Sequence, residues 1–479
     1  MKPERKDKVE GLNKGDLPQG WIQTKLIDVV TYQKGKKPKK LTDVYATNLV
    51  PYLDIEAFVN NNIRQYAYPE SSKLAKASDV LIVWDGARSG LTGLAREGAI
   101  GSTIVCLTPI KIEQKYLSRF IQSKYQYIND NHRGSGIPHV DPDIFWNILI
   151  PLPPLNEQRR IVAKLEKMLA KVNDCKQRLE RIPTILKRYR QSVLAAACSG
   201  RLTADWRELH PDVEPAEELL NKFRKRKDYK KIKIKDELPI PFDLPLSWQW
   251  INLIEVCESL TDGDHQPPPK QNEGIPFLVI SNIKEGELDF SDTRYVPEEY
   301  YDQIKDSRKP RKGDILYSVV GSYGIPVLVN IEKKFCFQRH IALLRVNRLI
   351  FNKYLLYILQ SRLVFAQATA VATGSAQLTV TLTGLRKLKI ALPPLEEQQE
   401  IVRRVEALFK KCDLIEQRYQ KAKAYIDKLT QSILAKAFRG ELVPQDSNDE
   451  PAEVLLERIR VEKAQQEKQM KARKCDSFR

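Results

Sequence analysis

Apolar residues from Ile161 onward step by four and then three, at Ile161, Leu165, Met168, Val172, Cys175, Leu179, Ile182, Leu186, Tyr189, Val193 and Ala196. A second run keeps the same phase at Ile401, Val405, Leu408, Cys412, Ile415, Tyr419, Ala422, Ile426, Leu429 and Ile433. These are heptad a and d positions with Lys, Arg, Glu and Gln over the remaining surface, the pattern of coiled-coil helices. Most amphipathic helices pack their stripe on a neighbouring globular block. Here each stripe outlasts an average helix of about 12 residues roughly threefold, so helix-on-helix pairing is expected instead. About ten layers, each worth about 1.5–3 kcal/mol before entropy, would hold two helices together across a long sequence separation. Pro183 removes one backbone donor and clashes with the preceding turn, which predicts a kink or break at Ile182.

The stripes belong to a larger repeat. ILIPLPPLNEQRRIVAKLEKMLAKVNDCKQRLE, ending at Glu180, returns in register as LKIALPPLEEQQEIVRRVEALFKKCDLIEQRYQ, ending at Gln420. QSVLAAACSGRL from Gln191 returns as QSILAKAFRGEL from Gln431, and LPQGWIQTKLIDVV from Leu17 as LPLSWQWINLIEVC from Leu244, which aligns Trp21 with Trp248. One unit is thus a globular block of roughly 140 residues followed by a long helix, a period far too great for a solenoid. The LPPL before each helix ends a strand, because the residue ahead of proline is pushed to extended geometry.

Each block reads as mixed α and β. DVLIVWDGARSG from Asp79 is a buried strand running into a glycine turn, STIVCLTP from Ser102 a second strand, and the segment from Lys115 a helix with Leu117, Phe120, Ile121 and Ile128 on one face. The second block repeats the order from Gly313, His340 and Lys353. The expected organisation is a basic tail (1–16), a first block (17–155), a first long helix (156–200) and a short helix with a lysine-rich linker (201–240). A second block (241–395), a second long helix (396–440) and a short helix with a basic tail (441–479) follow, the tail from Val461 expected to be disordered. The fold class is α+β, two mixed α/β blocks in tandem separated by two long paired helices.

A chain of 479 residues with a formal charge of +18 can bury several cores and attracts polyanions over a long range, and the clustering of the excess points to a nucleic-acid surface. No signal-peptide core or membrane-spanning apolar run is seen, so a cytoplasmic protein is expected. The seven cysteines occur singly, without a CxxC pair, and Cys175 and Cys412 are expected to be buried thiols. No GxxxxGK[ST] loop, GxGxxG turn or [ND]PP[FYW] tetrapeptide is present, and the five histidines lack zinc-ligand spacing. Pro211 and Asp212 followed by Asp228, Tyr229 and Lys230 match a loose nuclease pattern, but they fall on a short helix and its linker, where acids are not held on adjoining strands. No catalytic residue and no metal site is expected.

The blocks share a frame and differ in their polar loops. A pair of diverged reading heads would suit an asymmetric, bipartite duplex target, whereas identical heads would suit a palindrome. The candidate DNA-binding residues are Lys34, Lys36, Lys37, Arg88, Arg133, Ser135 and His139 in the first block. In the second they are His265, Arg308, Arg311, Tyr323, Arg339 and His340. Lysines around Lys34 suit phosphates, while Arg, His and Tyr reach base edges.

Block, PLPPLNEQRRIVAKLE helix, QSVLAAACSGRLT, second block, LPPLEEQQEIVRRVEALF helix and TQSILAKAFRGEL together resemble the specificity subunit of type I restriction-modification systems, over nearly the whole chain. The resemblance implies two target recognition domains, each reading half of a split DNA site, and an antiparallel coiled coil acting as a ruler. It implies docking of two methyltransferase subunits, which use S-adenosylmethionine, and of restriction subunits, which use ATP and Mg2+, with no cofactor in this chain. The alternative is a free-standing two-headed DNA-binding regulator or architectural protein. Val162, Leu169, Leu194, Val402, Phe409 and Leu434, which lie off the main stripe at matching places, are expected to form an extra apolar docking surface and so to favour the first reading.

Overall fold

The computed structural model of the chain describes residues 17–134, 136–225, 234–265, 268–284, 286–375 and 377–476. The chain divides into two units. Unit 1 comprises the residues up to Glu180 together with those from Lys421 onward, and unit 2 is Arg181–Gln420. Each unit therefore takes its globular block and the start of its long helix from one repeat, and its closing helical segment from the other. The basic N-terminal tail, Ser135 and the Asp228–Lys230 stretch of the linker lie outside the described residues.

The helices of the repeat are α1 (Leu155–Leu179), α2 (Ile182–Cys198), α3 (Ala216–Arg224), α4 (Leu395–Phe438) and α5 (Ala452–Asp476). The first heptad run is thus broken, at Glu180–Arg181, and Pro183 sits in the first turn of α2. There its missing N–H is one of the donors a helix start leaves unpaired in any case, so it begins a helix instead of kinking one. The segment after Val461, expected to be disordered, continues α5 to Asp476. Ala452, Leu455, Leu456 and Ile459 bury the first turns of α5, and this anchored start lets a run of Glu, Lys, Gln and Ala propagate the helix.

Eight strands make two equivalent antiparallel sheets. In unit 1, β1 (Val30–Lys34), β2 (Val80–Val83), β3 (Thr92–Leu94) and β4 (Ile104–Pro109) stand in the order β1-β4-β2-β3. In unit 2, β5 (Cys257–Asp262), β6 (Ile315–Ser318), β7 (Pro326–Leu328) and β8 (Ile341–Val346) stand in the order β5-β8-β6-β7. Both faces of each sheet are covered. Val80, Ile82, Val105 and Leu107 pack toward the helix residues Tyr116, Leu117, Phe120 and Ile121, whereas Leu81, Ile104 and Cys106 pack toward Leu53, Ala75 and Ile100 of a second sheet of five short strands. Double-sided burial is why VLIV reads as a continuous apolar run with no alternation.

The long helices close these cores. In unit 1, Ile161 and Leu165 of α1 share a cluster with Ile433, Leu434, Ala437 and Phe438 at the end of α4, and Met168, Val172 and Leu429 pack against it. In unit 2, Val193, Leu194, Ala197 and Cys198 of α2 share a cluster with Ile401, Val402 and Val405 at the start of α4, with Leu408 and Phe409 against it. Pairing there is antiparallel: Arg190 meets Asp413 at 2.7 Å, the Leu202 carbonyl meets Arg404 at 2.9 Å and Thr203 meets Glu397 at 2.7 Å.

Helix pairing and packing on the block thus occur together, which corrects two expectations. Val162, Leu194, Val402 and Leu434 are buried in these cores and Leu169 and Phe409 are packed against them, so they offer no spare docking surface. A helix held by a block on one side and a second helix on another needs an apolar stripe broader than a and d alone. Conversely the stripe thins in mid-run. Leu186, Cys412 and Tyr419 are buried and Leu179 and Ile426 half-buried, but Tyr189 and Ile415 are 44% and 45% exposed and Cys175 is an exposed thiol. The ends of the stripe belong to the core of a block, as Ile401, Val405, Ile433 and Ala437 do, whereas its middle does not and has less apolar surface to cover it.

The polar part of the repeat fastens each unit. The indole of Trp21 donates to Glu157 at 2.9 Å, and Gln445 donates to the same carboxylate at 3.2 Å. The indole of Trp248 donates to Glu397 at 2.7 Å, where Thr203 and Arg207 also donate. Beside each glutamate a buried glutamine braces the strand end, Gln158 donating to the Pro153 carbonyl and Gln398 to the Pro393 carbonyl. Gly200 and Gly440 adopt φ of +74° and +76°, and a Cβ would stand 2.6 Å from Pro245 Cγ and 2.2 Å from Pro18 Cγ. Glycine is required at both by handedness and by space. The starts of α3 and α5 then dock identically, Ala216 N–H on the Ser247 carbonyl at 2.9 Å and Ala452 N–H on the Gly20 carbonyl at 3.0 Å. Among the described residues no helix is long and apolar enough to cross a membrane.

Candidate nucleic-acid interface

Two strands that run antiparallel to the same neighbour end on the same side of a sheet. In unit 1 this brings the C-terminal ends of β1 and β2 together, so that Lys34 stands beside Asp85 and the loop carrying Arg88. Arg133, Pro138 and His139 close over them: Arg133 and His139 exchange backbone hydrogen bonds of 2.8 and 2.9 Å, and Gly86 N–H donates to the Pro138 carbonyl at 2.8 Å. Three segments distant in sequence therefore meet at one end of the sheet.

The side chains there form ion pairs. Asp85 lies 3.0 Å from Lys34 Nζ through one oxygen and 2.8 Å from His139 Nδ1 through the other. Arg133 pairs with Asp141 at 2.7 Å and also with Asp143, and Arg88 lies 3.7 Å from Glu56. These hydrogen bonds raise the proton affinity of the Arg133 guanidinium further. Lys36 and Lys37 are exposed just beyond β1. Behind Lys34 the ring of Tyr32 lies 4.2 Å from that of Trp146, which stacks on Trp84 at 5.6 Å. The aromatic wall stiffens the strand ends from which the polar side chains project.

Unit 2 builds the same frame from different side chains. The bridge between Val320 and Thr379 repeats that between Asp85 and His139, and Gly321 N–H donates to the Leu378 carbonyl at 3.1 Å as Gly86 does to Pro138. Asp262, the last residue of β5, accepts from His265 Nε2 at 2.8 Å and lies 3.5 Å from Arg308. Arg339 is exposed two residues before β8. The side-chain amide of Gln338 meets His340 Nδ1 at 2.9 Å, and with the amide N–H donating to that nitrogen the ring proton is left on Nε2. Burial, and then the Arg339 charge, lower the proton affinity of His340, so this ring is a neutral donor at neutral pH. Asp262, His265, Arg339, His340 and Gln377 line a cavity of about 380 Å3.

Two expected residues stand apart from this group. Arg311 precedes β6, and its N–H donates to Asp314 at 2.8 Å in the turn that starts the strand, at the end of the sheet opposite His340. Tyr323 lies on the loop after β6, but its hydroxyl is bonded to Thr369 at 3.0 Å and its ring stacks on Phe365 at 5.5 Å. Asp85, Asp262 and Gln338 were not among the expected residues. A search for positive charge passes over carboxylates, yet IPHVD aligned on QLTVT would have shown which loop positions correspond.

Each sheet end thus displays donors and acceptors on rigid elements, within a chain of net charge +18, a combination suited to phosphates and base edges together. Among the described residues there is no group of three or more side chains able to hold a metal ion.

Residues 18–184 and 245–424 match the profile of the type I restriction modification DNA specificity domain. The specificity subunit of type I restriction enzyme EcoBI from Escherichia coli is 32% identical over 474 residues, covering 94% of this chain and 93% of that one. The type I restriction enzyme MjaVIII specificity subunit from Methanocaldococcus jannaschii is 27% identical and covers 90% and 95%. Among solved structures, a chain from a study of complex assembly and conformational transition of the type I R-M system superposes with a TM-score of 0.65 at 23% identity, covering 89% of this chain and 99% of that one. The crystal structure of the HsdS subunit from Thermoanaerobacter tengcongensis gives 0.51 at 22% identity, with 89% and 98% covered. These two likenesses concern the fold.

Proposed function

Because this chain belongs to the family of type I restriction-modification specificity subunits, we propose that its two sheet ends each read one half of an asymmetric, bipartite double-stranded DNA site. The observation that carries this reading is the loop frame built twice with unlike side chains: Lys34, Asp85 and His139 in unit 1, and Asp262, His265 and Arg308 in unit 2. Unlike heads on like frames suit a non-palindromic target. The long helices set the spacing between the half-sites. Two methyltransferase subunits and the restriction subunits dock on the chain and carry the chemistry, with S-adenosylmethionine, ATP and Mg2+ held by those partners. The chain itself is a non-catalytic, cytoplasmic targeting scaffold.

The test is co-expression with the methyltransferase subunit of its own operon, purification of the complex and sequencing of the methylated DNA. The expected result is a stable complex and one bipartite, non-palindromic methylated motif. Failure to bind the methyltransferase would favour a free-standing DNA-binding regulator. The ruler role is tested by removing four residues from α1 after Val172 and four from α4 after Cys412, which shortens each helix by about 6 Å at a rise of about 1.5 Å per residue. The spacer should shrink by about two base pairs of about 3.4 Å each, both half-sites keeping their bases. An unchanged spacer refutes the ruler.

A further inference from the structure

Resting on that reading, we propose that Asp85 and Asp262 determine specificity by restraint, each carboxylate holding the basic side chains of its own reading loops until a complementary half-site takes them over. Asp85 spans Lys34 at 3.0 Å and His139 at 2.8 Å, its side chain 20% exposed against 53% and 45% for its partners. Asp262 spans His265 at 2.8 Å and Arg308 at 3.5 Å, 17% exposed against 55% and 36%. In each unit the acid sits deeper than the groups it holds, and those groups face solvent.

The two acids do not occupy equivalent positions of the repeat. Lys34 pairs across the sheet with Val105, and Asp262 pairs with Ala342, which occupies the place of Val105; Asp262 therefore stands where unit 1 has Lys34. Val320 stands where unit 1 has Asp85, as the bridges to Thr379 and His139 record. A carboxylate clamp has thus been placed at the same sheet end twice, on different strands. Fold maintenance after duplication would keep an acid in one position, whereas a requirement at the reading surface is met by any acid that reaches it.

The electrostatics supply the mechanism. Exposed ion pairs are weak, so a phosphate or base edge can take Lys34 or Arg308 from its carboxylate at little cost. The carboxylate left behind then faces the duplex and repels phosphate unless the half-site offers it a donor, such as the amino group of cytosine or adenine in the major groove. A wrong sequence could open the clamp only without that compensation, so on it the clamp stays closed, which is discrimination by penalty. The clamp also lowers the free positive charge that drives sequence-independent binding.

The experiment uses the full complex with its methyltransferase partner and maps methylated adenines for wild type, Asp85→Asn, Asp262→Asn and the charge-matched control Asp174→Asn on α1. Restraint predicts extra methylated sites that depart from the wild-type motif in one half only, a different half for each clamp variant, and none for the control. Affinity of the Asp85→Asn complex for a non-target duplex should rise on the order of 10-fold, with a salt dependence steeper by about one phosphate contact. Adding Lys34→Gln should reverse both. An unchanged map overturns the proposal. So does a new motif as narrow as the old, which means direct reading by the acid, or loss of methylation in a variant that melts as wild type does. Should Asp85→Asn fail to fold, Lys34→Gln alone decides: restraint predicts weaker target binding with non-target binding unchanged, and equal weakening refutes it. Absence of methylation by the wild-type complex would instead sink the functional reading itself.

Discussion

Trp248 Nε1 donates a 2.7 Å hydrogen bond to the Glu397 carboxylate, which is wholly buried and also receives the Arg207 guanidinium. One strand entry, the first turn of α4 and the segment after α2 are joined at a single side chain. In unit 1 the equivalent Glu157 receives Trp21 and Gln445, and the nearby Arg160 turns instead to Asp449 at 2.6 Å.

Glu397→Gln leaves a guanidinium facing a neutral group, and breaking a buried pair from one side costs about 3 kcal/mol. Glu157→Gln removes no direct cation partner and should cost about 1 kcal/mol, the worth of an ordinary hydrogen bond. Thermal denaturation of the two variants checks the ranking; equal losses would show that Arg207 adds nothing to the fastening.

Acid stability should depend on Glu400. Hydrogen bonds from Arg403 and then Arg404, against the opposing effect of burial, hold its carboxyl down at about 2, below its unfolded value. Its contribution is therefore present above about pH 4.5 and lost as pH falls toward 2, worth about 1 kcal/mol after allowing for the exposed Arg403. Glu157 has the opposite sign. Burial raises its proton affinity despite the Trp21 and Gln445 hydrogen bonds, so its contribution is complete below the ordinary carboxylate value and declines as pH rises through the raised one. In urea denaturation between pH 2 and 7, Glu400→Gln should flatten the acid limb and Glu157→Gln should not.

Two positions of one heptad stripe should behave oppositely. Val405→Asp puts an unpaired charge in the unit 2 core, a loss of about 3 kcal/mol or more, whereas Ile415→Asp, at a position 45% exposed, should change stability by no more than about 0.5 kcal/mol. Chemical denaturation distinguishes them, and a large loss at Ile415 would restore it to the seam.

At the unit 2 sheet end proposed to read DNA, Arg339→Ala should weaken target binding by about 1–3 kcal/mol, the range of a base or phosphate contact in a specific complex. Arg311→Ala, at the far end of the sheet, should change it by less than about 0.5 kcal/mol. Titration of the complex with its own methylated motif in unmethylated form measures both, and equal effects would move the interface off the sheet end.

How much of this was legible in the chain can be followed residue by residue. The repeat, the long helices, the break near Pro183 and the mixed character of the blocks were all written in local pattern, because heptads, proline and buried-strand runs act over a few residues. The shared glutamates and glutamines after LPPL were visible as a repeat, but their purpose was not, since Glu157 finds Trp21 and Gln445 at the two ends of the chain. Val162 and Leu434 looked like spare apolar surface until packing placed them in a core, and Ile415 looked like seam until it was found in solvent.

The sequence by itself determined that this protein is two copies of one block-and-helix design carrying unlike polar loops, and that the whole bears a surplus of positive charge. Tertiary structure alone decided that each copy closes with a segment from the other, and that Asp85 meets Lys34 and His139 while Asp262 meets His265 and Arg308. The reason is physical. Periodicity and charge are properties of neighbours along the chain, whereas an ion pair or a shared core depends on which distant segments folding brings within a few ångströms, and no local pattern encodes that distance.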